Sequence, residues 1–549
     1  MTPPSTTSWT ASSATTDPCP KPPTMSDPQE RTQDVCEIRS NFHVDTKVNL
    51  TPAAYPRPRV SRDIEQFVQG LDLNVDDLLD RPTLKVNTVP DDQPLASYYI
   101  SSSHNTYLLC RQLIGRASAA AYTHVLERGG RCVEIDVWPS NKGLVVTHGH
   151  TFSQAIPLDS VLSAIAEAVG PEDWPVFISL ECHVPLAGQE ELASMIKEKI
   201  GDKLVLGRNE DLGDNAATPK DFFGKILLMV EYFMPPSLLG EEVEEESSSS
   251  SSSSSDSEGA SSIWPGRRKR KEPKPRISDS LAQLGFYCRS MKPKKGWFTE
   301  NLVDPAHILI NISESGLGAL LPAALTDLVK HSNNYLRRVF PHGMRITSSN
   351  LNPITAAWSN GSQVAAMNWQ VYDRGLELNE AMFVGSDGWV PKPAALGEPV
   401  TRKVRMKVDV KGVSAIPLLN RKGGTVDMYV RAYLFTTTNA GEKKWRSTNV
   451  KLKDVPEEGG DLSLEGDGES FEWEFEDIGL SFIRFNVWEA VFGRDNKLTV
   501  FCGKIEHIRN EISSDPAHNG WRFVRMLAED HGGTYTGCTL LARFHFTDV

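Results

Sequence analysis

Short β-branched and aromatic runs alternate with helical patterns through the middle of this chain. From about Pro94 such runs are ASYYISSSHN, RCVEIDVW, LVVTHG, PVFISLECH and GKILLMVEY, each of which is predicted to be a buried strand. The segments between them carry apolar residues at helical spacing and end on glycines, as at Gly130, Gly170 and Gly201. Strands that alternate with helices pair in parallel, so we predict an α/β sheet that is open or closed into a barrel.

A low-complexity segment interrupts this pattern at residues 240–277. An acidic run is followed by an unbroken serine tract and then by the basic run GRRKRKEPKPR. None of these stretches can bury an apolar core, so the segment is predicted to be a disordered, exposed linker. The βα pattern resumes with AHILINISES, a predicted helix PAALTDLVKHSNNYLRRVF, MRITSSN and QVAAMNWQ. We therefore expect one barrel in two halves, residues 94–239 and 278–398.

The end of the chain has the two-residue periodicity of half-buried strands. Val404 and Met406 alternate with charged residues, and Phe471 and Trp473 alternate with glutamates. This pattern predicts an all-β antiparallel sandwich over residues 399–549.

The beginning of the chain has a different composition. Residues 1–57 are rich in Pro, Ser and Thr and are predicted to be a disordered tail. Residues 58–93 are predicted to form one or two short helices, without the D-x-[DN]-x-[DN]-G loop of an EF-hand. The first residues have neither the basic start nor the apolar run of a secretory signal. No stretch approaches the roughly 18 to 20 apolar residues that cross a bilayer.

Charge and cysteine content exclude several classes of protein. The formal net charge of −13 argues against a basic body that binds nucleic acid. Eight cysteines without a C-x-x-C pair argue against a disulfide scaffold and a zinc ribbon, so we expect a reduced, cytoplasmic protein.

Polar residues stand at the ends of the predicted strands. Glu134 and Asp136 lie two residues apart, so both carboxylates point to the same face of one strand. For this strand alone, a solvated acidic face is the alternative. The ends of the neighbouring runs carry further polar groups, namely His104, Asn105, His148 and Glu181. The carboxyl ends of strands meet at the mouth of a βα barrel, and hard cations such as Ca²⁺ prefer oxygen ligands, so we predict a divalent-metal active site.

Seven motifs resemble one enzyme family. SSSHNTYLL, CVEIDVW, THGHTF and ISLECH are similar to the X half of eukaryotic phosphoinositide-specific phospholipase C, and MRITSSNLNP, W-x-NG-x-Q-x-x-x-MNWQ and GWVPKP to its Y half. The resemblance covers residues 94–549 without the linker, and the sandwich lies where that family has a C2-type domain. It implies a split TIM-type barrel followed by a C2-type sandwich. The similarity is to a delta-like member without recognisable pleckstrin homology and EF-hand regions.

The resemblance also implies an activity. The family is a group of Ca²⁺-dependent phosphodiesterases that cleave phosphatidylinositol or its phosphorylated forms into diacylglycerol and inositol phosphate. The positions that match the Ca²⁺ ligands are Asn105, Glu134, Asp136 and Glu181. Glu134 or Glu181 would take the proton of the inositol 2-hydroxyl, and His148 would protonate the leaving oxygen. His104 would stabilise charge on phosphorus.

The headgroup positions depart from the family pattern. The residues that match substrate contacts are Asn311, Arg338 and Phe340, of which Asn311 replaces a serine and Phe340 a tyrosine. Met229 and Glu231 stand where the family has two lysines that grip ring phosphates. A carboxylate repels a phosphate. We therefore expect a preference for phosphatidylinositol or its monophosphate over the bisphosphate, unless a nearby lysine such as Lys225 restores the charge.

Two surfaces relate to membranes. Leu113, His150, Phe152 and Met344 match an apolar ridge that dips into lipid in the family, with ordinary core as the alternative. In the sandwich, Asp427 matches a Ca²⁺-loop aspartate, but Glu489 and Val491 stand where two aspartates are expected. We therefore expect the sandwich to be mainly structural.

The resemblance implies a monomer that acts peripherally at membranes on a phosphoinositide substrate. No protein activator is identified. The acidic part of the linker favours autoinhibition and its basic part a nuclear address or lipid contact, against the alternative of a solvated spacer. A catalytically weak or inactive lipid-binding scaffold and a glycerophosphodiester phosphodiesterase are the alternative functions.

Overall fold

A computed structural model describes most of the chain. The described residues are 38, 43–149, 151–209, 212, 217–232, 277–294, 296–299, 307–399, 402–418, 425–437, 443–453, 459–529 and 532–549. The predicted linker, apart from Ile277, and most of the predicted tail lie outside them, as does His150.

Eight parallel strands close into a barrel. They are β1 (Tyr98–Ser103), β2 (Cys132–Ser140), β3 (Val176–Cys182), β4 (Ile226–Glu231), β5 (Arg289–Met291), β6 (Ile308–Ser313), β7 (Leu336–Phe340) and β8 (Val364–Met367). Each strand pairs with the next one, and β1 also pairs with β8, which closes the barrel. The two halves meet between β4 and β5, where Val230 lies opposite Arg289. The predicted TIM-type barrel is thus confirmed.

The barrel interior changes from apolar to polar along the strands. At the amino-terminal ends, alternate residues form one apolar cluster, which includes Ile100, Cys132, Phe177, Leu227, Leu309, Leu336 and Val364. Side chains two residues further along a strand share the same face. That next level holds Glu134, Asn311 and Arg338. The apolar floor therefore supports a polar layer that opens towards the carboxyl ends of the strands.

Helices join the strands of the barrel, and three further helices, at residues 62–70, 75–80 and 505–514, pack against the C-terminal domain. The α-helices of the described chain are α1 (Arg62–Gly70), α2 (Val75–Asp80), α3 (Ala120–Glu127), α4 (Leu158–Ala168), α5 (Leu186–Ile200), α6 (Asp279–Ala282), α7 (Glu314–Gly318), α8 (Leu325–Ser332), α9 (Pro353–Ala356), α10 (Arg374–Phe383) and α11 (Ile505–Ser514). Helix α5 ends at Gly201, whose φ of +62° suits a residue without a Cβ atom. None of the described helices is long and apolar enough to cross a membrane.

One predicted helix proves to be a helix followed by a strand. The run PAALTDLVKHSNNYLRRVF was expected to be helical throughout, but α8 ends at Ser332 and β7 begins at Leu336. The asparagine pair 333–334 makes the turn between them, since asparagine favours turns over helix interiors. Parallel pairing with β6 and β8 then holds the segment extended, which overrides its helical spacing.

Two other predicted strands differ from the structure. The strand Gly143–Val146 includes the first three residues of LVVTHG, but it pairs antiparallel with β2 outside the ring of eight. The run MRITSSN at residues 344–350 contains no strand. Strand β5 is only 3 residues long, too short to give a periodic pattern in the sequence.

The C-terminal domain is a two-layered antiparallel sandwich, as predicted. Its strands are β9 (Lys403–Ile416), β10 (Thr425–Phe435), β11 (Lys443–Arg446), β12 (Val450–Lys453), β13 (Gly460–Ser463), β14 (Glu469–Glu476), β15 (Phe482–Glu489), β16 (Asn496–Lys504), β17 (Trp521–Ala528) and β18 (Tyr535–Asp548). Only two residue pairs join β16 to β17, and the layers on either side of this seam share one apolar core. The alternating residues of β9 and β14 enter that core.

The end of the predicted tail is packed against this sandwich. Residues Thr46–Asn49 and Pro52–Ala54 form short 3₁₀ turns. Val44 and Val48 pack in one cluster with Val500 and Leu527, so the prediction of disorder up to residue 57 was wrong for residues 43–57. Apolar residues are sparse here, so their spacing does not predict this packing. The region predicted to form one or two short helices, residues 58–93, contains α1 and α2.

A buried ion-pair network joins the barrel to the sandwich. Glu377 of α10 accepts hydrogen bonds from Arg484 Nε at 2.5 Å and Lys497 Nζ at 3.2 Å. The Glu377 side chain is fully buried, and the pKa of its carboxyl is lowered because these two cations outweigh the effect of burial. The network therefore fixes the sandwich against the last barrel helix.

Replacing Arg484 by leucine is expected to lower the free energy of unfolding by about 3 kcal/mol, because it leaves a buried carboxylate short of a partner. Arg402→Leu is the control, since Arg402 pairs with Asp548 on the exposed surface. The control should cost less than about 1 kcal/mol. Urea denaturation measures both free energies of unfolding. Equal decreases in the two variants would contradict a special role for the buried network.

Candidate active site

Three carboxylates meet at the barrel mouth. Glu134 and Asp136 lie on β2, and Asp136 is paired in register with Glu181 of β3. One oxygen atom from each side chain lies within 4.8 Å of the other two. Glu134 and Asp136 are buried, whereas the Glu181 side chain is 43 % exposed. In the described part of the chain this is the only group of three or more such ligands that could hold a metal ion.

This cluster fits a hard cation. Asp136 Oδ1 is buried and has no hydrogen-bond partner among the described residues. Burial, followed by the neighbouring charges of Glu181 and Glu134, holds the pKa of the Asp136 carboxyl well above its usual range. A cation would satisfy the orphaned oxygen and remove the repulsion. The donors are all oxygen atoms, which suits Ca²⁺ better than a metal that prefers nitrogen or sulfur.

Asn105 lies beside the carboxylates in a constrained backbone conformation. Its φ is +44°, a region that asparagine tolerates better than most residues. Its backbone N–H donates to Glu134 Oε2 at 2.8 Å, and its side-chain Nδ2 donates to Gln112 at 2.7 Å. The Tyr107 hydroxyl lies 3.2 Å from Asn105 Oδ1 and 2.5 Å from Asp136 Oδ2. The Asn105 amide oxygen is therefore adjacent to the cluster.

His104 follows β1 and is held by the second half of the barrel. Its Nδ1 lies 2.9 Å from Asn368 Oδ1, while Asn368 Nδ2 donates to the Ser349 carbonyl. This orientation makes His104 Nδ1 the donor. Its Nε2 lies 4.0 Å from Glu134 Oε2. Burial lowers the pKa of His104, and the neighbouring Glu134 charge partly offsets this effect.

His148 lies in the loop after the antiparallel strand Gly143–Val146, not at the end of a barrel strand as the sequence suggested. Its Nδ1 lies 2.8 Å from the Gln112 carbonyl oxygen and so acts as donor. This leaves Nε2 available for proton transfer. His148 thus contacts the backbone of Gln112, while the Gln112 side chain contacts Asn105 and Asn368, so one residue links the surroundings of both histidines.

A stacked ring pair connects the His148 loop to Glu181. Trp138 stacks on His183 with ring centroids 4.0 Å apart, and His183 Nε2 lies 3.8 Å from Glu181 Oε2. Gly149 packs so closely on the other side that a Cβ atom would lie 2.0 Å from Trp138 Cζ2. Trp138 and His183 are the last residues of the motifs CVEIDVW and ISLECH, but the sequence predicted no role for either of them. Nothing in the spacing of the two motifs indicates that the rings stack.

The three residues predicted to contact substrate lie together beside the carboxylates. Asn311 of β6 is paired in register with Arg338 of β7, which carries Phe340 two residues further along. The buried Arg338 guanidinium donates to Glu134 Oε1 at 2.7 Å and to Asn311 Oδ1 at 3.1 Å. The Phe340 ring lies 5.9 Å from that guanidinium.

The two positions that lack the expected lysines differ in exposure. Met229 is buried at the level of Glu134, where it packs on the apolar floor, whereas Glu231 lies at the mouth, where its Oε1 is 3.6 Å from Lys292 Nζ. Lys225 precedes β4 at the opposite end of the barrel, and its Nζ donates to the Asp202 carbonyl. Lys225 therefore lies too far from the mouth to restore the lost charge there.

Exposed apolar side chains rim part of the mouth. Ile114 pairs with Phe152 in a short parallel bridge, and the Gln112 N–H donates to the Ile346 carbonyl. These two contacts bring together the segments around residues 113, 152 and 346. Their exposed members are Leu113, Ile114, Phe152, Met344 and Ile346, with Phe152 87 % and Met344 65 % exposed.

In the sandwich, Glu489 is buried and accepts a hydrogen bond from Asn496, and Val491 is exposed. Asp427 lies beside this loop, since the Ala490 N–H donates to its carbonyl. These three positions do not form a metal-binding group in the described part of the sandwich.

Comparisons with known proteins match the whole catalytic barrel. Residues 91–232 match the family described as phosphatidylinositol-specific phospholipase C, X domain, and residues 281–395 match the Y domain of the same description. The crystal structure of S. officinalis PLC21 is similar with a TM-score of 0.68 and 20 % identity, over 95 % of this chain and 69 % of that chain. A likeness at this identity shows the fold.

Three curated relatives share the name 1-phosphatidylinositol 4,5-bisphosphate phosphodiesterase. Delta-1 of Rattus norvegicus is 29 % identical over 83 % of this chain and 61 % of its own length. Delta-4 of Xenopus laevis is 31 % identical over 62 % and 48 %, and protein 1 of Candida albicans is 30 % identical over 58 % and 33 %. The chain thus spans less than two thirds of the length of these relatives.

Replacing Asp136 by asparagine is expected to stabilise the metal-free protein at pH 8. The raised pKa means that folded protein binds the proton more tightly than unfolded protein, so stability falls as pH rises through the folded pKa. Removing the charge abolishes this loss of stability. The free energy of unfolding at pH 8 should therefore rise by about 1 to 3 kcal/mol.

Thermal unfolding in chelator at pH 5 and pH 8 checks this, with Asp92→Asn as an exposed control. Asp136→Asn should raise the midpoint at pH 8 and flatten its pH dependence. A lower midpoint than wild type at pH 8 would show that the carboxylate is satisfied without a cation.

Proposed function

Because this chain belongs to the phosphatidylinositol-specific phospholipase C family, we propose that it cleaves phosphatidylinositol or its phosphorylated forms into diacylglycerol and an inositol phosphate. The observation that carries the proposal is the convergence of three carboxylates, two histidines and an arginine on one barrel mouth. A site with these groups can hold a cation, bind an anionic ester and move protons on both sides of it.

We further propose that the site works with Ca²⁺. The residues that would hold it are Asn105, Glu134, Asp136 and Glu181, and the orphaned Asp136 oxygen supports this assignment. A bound Ca²⁺ ion lowers the pKa of a hydroxyl beside it and neutralises charge on a phosphate.

Glu181 is the better placed of the two candidate bases. Both oxygens of Glu134 already accept hydrogen bonds, one from the Asn105 N–H and the other from Arg338. The Glu181 carboxylate is more exposed than that of Glu134. Its Oε2 lies 3.8 Å from His183 Nε2, which is longer than a hydrogen bond. Glu181 would therefore accept the proton of the inositol 2-hydroxyl as that oxygen attacks phosphorus.

The two histidines have different tasks. His148 holds its Nδ1 on the Gln112 carbonyl, so Nε2 would donate a proton to the diacylglycerol oxygen when the P–O bond breaks. The same nitrogen would then accept a proton from water as the cyclic product opens. His104 Nε2 lies beside Glu134 and Arg338, where the protonated ring would donate its Nε2 N–H to the phosphoryl oxygens as negative charge develops on them.

The walls of the site favour a lightly phosphorylated headgroup. Arg338 and Asn311 offer polar contacts to ring hydroxyls, and Phe340 offers an apolar face for stacking. Met229 is buried and uncharged at the level of Glu134, and Glu231 carries a negative charge at the mouth. We therefore propose a preference for phosphatidylinositol or its monophosphate over the bisphosphate.

The exposed apolar rim supports action at a lipid surface. Phe152 and Met344 expose most of their side chains beside the mouth, which is costly in water and favourable in the interfacial region of a bilayer. We propose that this rim docks the protein peripherally on the membrane that contains its substrate.

Diacylglycerol release from mixed vesicles tests the reaction. Wild-type protein should hydrolyse phosphatidylinositol or its monophosphate faster than the bisphosphate, and excess chelator should abolish release. His148→Gln should lower kcat by about 10²- to 10⁴-fold, because the leaving oxygen loses its acid. Absence of release from all three lipids would contradict the function, and a strong bisphosphate preference would contradict the proposed selectivity.

Gly149→Ala tests how His148 is positioned. The added methyl group would collide with the Trp138 ring and push the loop away, so kcat should fall by about a hundredfold. Gly318→Ala is the matched control, because its Cβ would meet nothing within 4 Å. Identical rates for the two variants would show that Trp138 does not hold the loop in place.

A further inference from the structure

A lysine and a glutamate face each other where the two barrel halves meet. Glu231 is the last residue of β4, and Lys292 directly follows β5. The strands pair so that Glu231 lies opposite Ser290, two residues before Lys292. The Lys292 side chain is 64 % exposed and the Glu231 side chain 34 % exposed. The pair therefore lies on the open rim of the mouth.

The contact between them is loose. Lys292 Nζ lies 3.6 Å from Glu231 Oε1, which is longer than a hydrogen bond. By contrast, Arg338 lies 2.7 Å from Glu134, and Arg345 lies 2.5 Å from Glu314. An ammonium group has three donors, and an exposed pair of this kind is weak. Lys292 thus retains the capacity to bind a second anion.

Lys292 and the carboxylate cluster lie at different strands of the same barrel mouth. Groups that would act on the phosphodiester include His104, which follows β1, and Glu181 on β3. Glu231 on β4 and Lys292 after β5 form a second side of the mouth, between the strand that carries Glu181 and the strand that carries Asn311. A substrate whose phosphodiester lies on the carboxylate cluster can therefore place other substituents of its inositol ring against this second side.

The chemistry on that second side suits a phosphomonoester. A phosphate dianion is bound by ammonium and guanidinium groups. Strand β4 offers Met229 and Glu231, neither of which is cationic, so the cation has to come from elsewhere on this side. Lys292 is the residue that meets this need, and it touches Glu231 itself.

We propose that Lys292 binds a phosphate group on the inositol ring and that Glu231 competes with this phosphate for the ammonium. The inference rests on the proposed function, since it takes a phosphoinositide as the substrate. One ammonium group offset by one carboxylate can hold one phosphate but not two. The substrate class that fits is therefore a monophosphorylated phosphatidylinositol.

Hydrolysis by the full-length protein tests this assignment. Mixed vesicles contain phosphatidylinositol, its 4-phosphate, its 5-phosphate or the 4,5-bisphosphate, each as a separate arm. The measured quantity is kcat/KM for each phosphorylated lipid divided by kcat/KM for phosphatidylinositol. A loss of folding or of vesicle binding affects numerator and denominator alike, so the ratio isolates recognition of the phosphate.

Lys292→Gln should lower the ratio for the preferred monophosphate about five- to tenfold, and Glu231→Gln should raise it about two- to fivefold. Lys225→Gln is the matched control, with the same charge change at the opposite end of β4, and should leave the ratio as in wild type. A ratio that is unaffected by Lys292→Gln, or that changes equally in Lys225→Gln, overturns the proposal.

A binding measurement separates this inference from the proposed function. If wild-type protein releases no diacylglycerol from any lipid, the proposed function fails, but calorimetry with soluble headgroups still tests Lys292. The protein should bind inositol 1,4-bisphosphate or inositol 1,5-bisphosphate more tightly than inositol 1-phosphate, and Lys292→Gln should remove this difference. Equal affinities in wild type, or a difference that survives in Lys292→Gln, overturn the role of Lys292.

Discussion

Electrostatic repulsion among three carboxylates is the constraint on which the site depends. The register of β2 and β3 places Asp136 opposite Glu181, and the two-residue spacing on β2 adds Glu134 on the same face. Arg338 and the Asn105 N–H satisfy Glu134, but Asp136 keeps one buried oxygen without a partner. The folded chain therefore holds three carboxylates whose mutual repulsion is unfavourable without a cation. A bound cation removes this repulsion.

The rest of the molecule holds that cluster in place. The apolar floor of the barrel fixes the strands below it, and Gln112, Asn368 and Trp138 hold the two histidines and their loops above it. The sandwich is fastened to α10 through the buried Glu377 network, so it stiffens the barrel from outside. A metal site needs this rigidity, because ligands from separate strands have to stay within one coordination distance.

The sequence predicted what depends on periodicity and missed what depends on tertiary contact. Alternation of strands and helices predicted the barrel, and two-residue periodicity predicted the sandwich. The helical spacing of the preceding residues continues into β7 and predicts a helix there. The true strand is the element that carries Arg338 and Phe340. Strand β5 was too short to detect, and the role inferred for Lys292 depends on its place beside Glu231. The His183–Trp138 stack likewise depends on a loop position that spacing cannot reveal.

Calorimetric titration of Ca²⁺ into the metal-free protein, in buffers of different ionisation enthalpy, tests the central claim most directly. The account predicts one ion bound per chain with release of protons, because ion binding lowers the raised pKa of Asp136. Glu181→Gln should weaken this binding by at least about tenfold. Absence of Ca²⁺ binding, or binding of the same affinity and proton release after the Glu181 charge is removed, would contradict it.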